Sequence, residues 1–135
     1  MNRATEGNCV RAFLDTSVVV ATDIGPLDGE LGISAITVAE MHFGVLVAKD
    51  QGVRAERLRR LLALQRTFDA LPIDEAVAVS YGQIAAAVVN AGRQPRARSM
   101  DLLIAATAHA HHARLYTRNP DDFTGLDHLI KIVNV

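Results

Sequence analysis

A single cysteine, Cys9, stands in the 135-residue chain. That excludes an internal disulfide and any zinc cluster built on cysteines. No apolar run approaches the ~18 residues that a membrane span needs. The opening stretch, MNRATEGNC, is polar and lacks the apolar core of a secretion signal, so a cytoplasmic protein is expected. Charge of one sign is missing as well. Fourteen Lys and Arg against fifteen Asp and Glu leave a formal net charge of −1. A chain so balanced has no global electrostatic footprint for nucleic acid, and any such contact must come from a local patch. Repeats, linkers and low-complexity tracts are absent too, which points to one domain over residues 10–135 behind a polar extension, residues 1–9.

What is present suffices for a core: 50% of the residues are hydrophobic and 21% charged. Short apolar runs alternate with helical patterns. VRAFL, Val10 to Leu14, reads as a buried strand ending at Asp15, with a short helical segment behind it. LGIS reads as a second strand, with Ser34 placed to cap a helix over roughly Ala35 to Ala48, broken by DQG. RAERLRRLLALQRTFDAL is amphipathic, with Leu58, Leu61, Leu62, Gln65 and Phe68 on one stripe. LPI fits an edge strand, since it contains Pro72. DEAVAVSYGQIAAAVVNAG is a helix with Val77, Tyr81, Ile84 and Val88 inward and Gly92 as its stop. RQPRAR is a basic loop. RSMDLLIAATAHA is an apolar helix capped by Ser99, RLYT a strand, RNPDDFTGL a turn and IKIVNV a closing strand. This order argues an α/β fold with a mainly parallel sheet. In such a sheet the strand C-termini and helix N-termini share one edge, where ligands bind.

Carboxylates gather on that edge. Asp15 ends the first strand, Asp101 opens the apolar helix, and Asp121 and Asp122 follow RLYT. Glu40 shares a helical stripe with Ile36, Phe43 and Val47, and Asp101 one with Ile104, Ala105 and Ala108. Each acid alone has an ordinary explanation as a turn residue, a helix-dipole partner or a snorkelling side chain. Together they would repel one another unless a cation neutralised them, and an all-oxygen site suits magnesium or manganese.

At this point the chain resembles the PIN-domain ribonucleases, and among them the VapC toxins of bacterial toxin–antitoxin pairs. FLDTSVVVA at Phe13–Ala21, ISAITVAEMHFGV at Ile33–Val45, RSMDLLIAATA at Arg98–Ala108 and LYTRNPDDF at Leu115–Phe123 carry the resemblance, in family order. It implies the PIN-like fold, a single-domain three-layer α/β/α sandwich on a mainly parallel sheet, and Mg2+- or Mn2+-dependent cleavage of RNA. Asp15, Glu40, Asp101 and Asp122 take the positions of the catalytic, metal-holding acids, with Asp121 competing for the fourth. Thr16, Ser17, Thr117 and Asn119 take supporting polar positions. The resemblance also implies a VapB-type antitoxin partner and a toxin homodimer, for which the helices Arg54–Leu71 and Asp74–Ala91 offer surfaces.

Carboxylate-held cations both neutralise a phosphodiester and activate a water, so no histidine base or serine nucleophile is required. Arg93, Arg96 and Arg98, with Arg118 opposite, are positioned to hold RNA phosphates, while the arginines of RAERLRR fit a solvated helix face. His109, His111 and His112 close a helix, where imidazolium suits the dipole, and no further zinc ligand has matching spacing. Two rival functions fit less well. An aspartate-dependent phosphohydrolase needs a second acid soon after Asp15, where Thr-Ser-Val-Val stands instead, and a non-catalytic PIN-like binding module has no need of four acids.

Overall fold

The computed structural model describes residues 10–135; the expected extension at residues 1–9 lies outside them. Four strands form one sheet: β1 (Arg11–Leu14), β2 (Glu30–Gly32), β3 (Arg114–Thr117) and β4 (Ile132–Asn134). Their order is β2-β1-β3-β4, and every pair is parallel. Five helices connect them: α1 (Thr16–Val19), α2 (Ala35–Val47), α3 (Gln51–Thr67), α4 (Glu75–Asn90) and α5 (Ser99–Ala110). Parallel neighbours require such crossovers, and strand alternation then sends side chains to both faces. Phe13 and Leu115 face α4 and α5, while Ala12, Leu14 and Tyr116 face α1, α2 and α3. The result is the expected α/β/α sandwich.

α5 lies in the heart of the first core. Leu102 and the run Ile104 to Ala108 are 0–1% exposed, and Val77, Ile84 and Val88 of α4 pack on them. Small alanines let the two helices approach closely. Tyr81 is partly buried at the rim, and Gly92 follows α4 with φ +80°, a conformation that suits glycine.

Several local expectations are corrected. α2 buries Thr37, Met41 and Val45, while Phe43 is 67% exposed and Val47 is also exposed. Glu40 therefore stands at the border of the buried face rather than on the predicted stripe. The helix is apolar almost all round, so no polar side fixed its phase in the sequence. α3 buries Leu61 and Leu64, leaving Leu58, Leu62 and Gln65 exposed. The helix boundary falls at Ala48 to Asp50, since Asp50 caps α3 by accepting from the Val53 amide, and Gln51 and Gly52 already belong to α3. Ser99 is not a cap: it has helical φ/ψ, and its hydroxyl donates back to the Arg96 carbonyl of a 3-10 turn, Pro95–Arg98. LPI contributes one bridge, Ser34 to Leu71, rather than a strand. Ser34 caps α2 as expected, accepting from the Ile36 amide.

Candidate active site

β1 and β3 end side by side, and this adjacency builds the first half of the site. Asp15 follows β1 and is 4% exposed. Its amide donates to the Tyr116 carbonyl, continuing the sheet by one bond. Two hydroxyls donate to its Oδ2: Ser17 at 2.7 Å and Thr117 at 2.9 Å. Each is aimed by a backbone amide behind it. The Arg118 amide donates to Ser17 Oγ, and the Asn119 amide to Thr117 Oγ1. A buried carboxylate needs such charge-assisted donors. Among the described residues, no donor reaches its other oxygen, Oδ1.

Glu40 is fixed from the same turn. Thr16 Oγ1 donates to Glu40 Oε1 at 2.5 Å and lies 3.1 Å from the buried Thr37 hydroxyl. Thr16 and Ser17, adjacent in α1, thus serve different acids. Thr37 was not among the expected site residues; the only signal for it was a hydroxyl one turn ahead of Glu40 on α2.

The second half comes from α5 and the 3-10 turn Pro120–Phe123. Asp101 lies in the first turn of α5, half-buried. Burial pushes its carboxyl up to about 6, and the charges of Asp15, Asp122 and Glu40 push the same way, against the opposing pull of Arg98. The other three expected acids therefore all act on Asp101 across the carboxyl edge of the sheet. Asp122 is the acid that joins them. Its carboxylate accepts from Arg98 Nη1, whereas Asp121 is exposed and offers only its carbonyl, to Arg93 and Thr124. The Asn119 side chain is exposed and makes no hydrogen bond, so its backbone amide is what it brings to the site.

The donor set suits a hard divalent cation. It is all oxygen, it is anionic, and the buried Asp15 keeps a free lone-pair face. The chain does not present a finished coordination shell: among the described residues, no three His, Cys, Asp or Glu side chains are grouped to hold a metal ion.

The arginines divide by role. Arg93 donates to the Asp121 carbonyl at 3.1 Å, Arg96 is exposed without a side-chain partner, and Arg118 pairs with Asp23 at 2.7 Å. That pairing holds Asp23 below the usual carboxylate range. Three of the RAERLRR arginines tie carbonyls rather than face solvent alone, Arg54 taking Leu46 and Ala48, Arg57 taking Gly44 and Arg60 taking Val20, while Arg59 lies exposed and pairs with Glu56. Three of those carbonyls belong to the last turns of α2 or to its C-cap, where helix carbonyls lack partners. A groove of about 390 Å3 runs between Thr16, Val20, Glu40, Met41, Gly44, Arg57 and Arg60, so it reaches one of the four acids, Glu40. Two of the helix-closing histidines have structural partners: His109 Nδ1 is 2.9 Å from the Ser80 hydroxyl, and His111 stacks on Phe13 at 5.6 Å between ring centroids.

Comparisons with known proteins agree with this arrangement. The family model described as the PIN domain matches residues 12–129. Ribonuclease VapC8 of Mycobacterium tuberculosis is 38% identical over 108 residues, covering 77% of this chain and 96% of the relative. Ribonuclease VapC5 of the same organism is 36% identical over 120 residues, covering 84% and 86%. A crystal structure of a member of the VapBC family of toxin–antitoxin systems, VapBC-5 from Mycobacterium tuberculosis, superposes with a TM-score of 0.82 at 31% identity, covering 93% of this chain and 99% of that one. With the parallel sheet, the carboxyl-edge acids and these likenesses together, the chain belongs to the PIN domain family, in the company of its VapC members.

Proposed function

We propose that this protein is a divalent-metal-dependent endoribonuclease and the toxin of a toxin–antitoxin pair. One observation carries the catalytic part: Asp15, Glu40 and Asp122 all act electrostatically on Asp101 at the carboxyl edge of the sheet. Relatives named ribonuclease supply the substrate class. Asp15, through Oδ1, and Asp101 are the residues to hold Mg2+ or Mn2+, with Glu40 and Asp122 completing the shell directly or through water. When bound, the ion would neutralise phosphate charge and lower the pKa of an attacking water.

The chain's own residues do the positioning. Ser17 and Thr117 lock Asp15 in one rotamer, and Thr16 does the same for Glu40. Arg96 and Arg93 flank the acids on the Pro95–Arg98 side, where they suit the backbone phosphates of bound RNA. Arg98 and Arg118 reach the same strand on release from their carboxylate partners.

The partner reading rests on relatives solved as VapBC assemblies. The groove from Glu40 to Arg57, with exposed Phe43 and Leu46 beside it, suits an amphipathic antitoxin segment. Val79 and Val89 leave apolar surface on α4 for a second copy of the chain. No helix among the described residues is long and apolar enough to cross a membrane. The test is RNA cleavage by purified protein with and without Mg2+ or Mn2+, alongside Asp15→Asn and Asp101→Asn. Cleavage that needs the ion and both acids supports the proposal. Folded variants that cleave like wild type end it.

A further inference from the structure

Arg98 occupies a position that the cleavage reaction does not explain. It ends the 3-10 turn and precedes α5. From there its guanidinium reaches 24 residues along the chain to Asp122 Oδ1, and the same Nη1 lies 3.9 Å from Asp101 Oδ2. It therefore bridges two of the four acids. No other cation touches any of the four among the described residues.

The turn bearing Arg98 is itself anchored. Ser99 Oγ donates to the Arg96 carbonyl, and Arg93 donates to the Asp121 carbonyl, the residue beside Asp122. The Arg93 side chain thus ties the two loops together through a carbonyl, while the Arg98 side chain is 40% exposed.

We propose that Arg98 is a built-in counter-cation that competes with the divalent ion for Asp101 and Asp122. The inference rests on the metal-dependent reading above and adds a regulation of that site. Two positive groups cannot share one pair of carboxylates without strong repulsion, so the ion binds only as the guanidinium leaves. The displaced Arg98 then stands at the rim with an unpaired fork of donors, suited to a backbone phosphate of the substrate. Ion entry and phosphate capture are coupled through one side chain.

The test is calorimetric titration of Mn2+ into the folded, RNA-free protein, so that turnover is not the readout. Arg98→Ala and Arg98→Gln are each compared with wild type, and Lys131→Ala serves as a control that removes one positive charge beside the first residue of β4, at the opposite edge of the sheet. Circular dichroism confirms folding. The expected result is Mn2+ affinity on the order of tenfold tighter in both Arg98 variants, with Lys131→Ala unchanged within about twofold. Measurable binding that is equal or weaker in the Arg98 variants overturns the counter-cation. Equal tightening in Lys131→Ala also overturns it, since net charge alone would then be responsible. Absence of binding in every variant overturns the metal reading itself, and this inference with it.

Discussion

The two halves of the acid cluster are built on opposite principles. Around Asp15 the geometry is fixed: the residue is buried, its amide extends the sheet, and two aimed hydroxyls hold one carboxylate oxygen, leaving the other open. Around Asp101 and Asp122 the site is half open, charges crowd, and a single arginine bridges them. The first half is fixed before any ligand arrives. The second stores unfavourable charge that a cation would relieve. Placing a rigid ligand opposite a frustrated one lets binding energy be gained where it is needed, with no cost to reorganise the other side.

The sharpest way to break this contrast is to neutralise each half in turn. Asp15→Asn and Asp101→Asn should each lower metal-dependent RNA cleavage by about a hundredfold or more, measured in single-turnover assays. Equal loss shows that both halves serve the chemistry, whereas loss from only one assigns the ion to that half. Stability should separate them next. Thr117→Val removes a buried donor from Asp15 and should cost about 1–3 kcal/mol in chemical denaturation, because the carboxylate is left under-satisfied.

Asp101→Asn should do the reverse. The folded carboxyl titrates at about 6 rather than 3.8, so between those values the folded chain holds more proton than the unfolded one. Stability therefore falls as pH rises from about 4 through 6. Partial exposure of the side chain screens the effect to about 1–2 kcal/mol. In metal-free buffer the Asn variant should melt above wild type at pH 7.5, and the gap should close below pH 4. A gap independent of pH would show that the raised carboxyl is not its source. Smallest of all, Arg118→Ala breaks an exposed pair with Asp23 and should leave the melting midpoint unchanged.

The same contrast explains what could be read from the sequence. The acids were legible because strand ends and helix starts share an edge in a parallel sheet, and Asp15, Asp101 and Asp122 each follow or open such an element. The hydroxyls of Thr16, Ser17 and Thr117 were legible as polar partners, but not which acid each would serve. That division depends on side-chain directions within a four-residue helix, below the resolution of any periodicity. The phase of α2 was not legible, since Phe43 and Val47 are as apolar as Met41 and Val45. Nor was the carbonyl-tying role of Arg54, Arg57 and Arg60, because it depends on where the last turns of α2 end in space. Arg98 was legible as a cation near the acids; its choice of Asp122 as partner required the fold.

The bond from Thr117 to Asp15 spans 102 positions of the chain. Synthesis at about 5–20 residues per second would separate the appearance of the two by roughly 5–20 s. Throughout that interval the aspartate and Ser17 have been made, but β3 and the second hydroxyl, that of Thr117, have not. A message cut short between Ser17 and Thr117 yields a polypeptide with the acid but without the strand that seats it. For a protein that would degrade RNA, the hazard is thus deferred until β3 has been made.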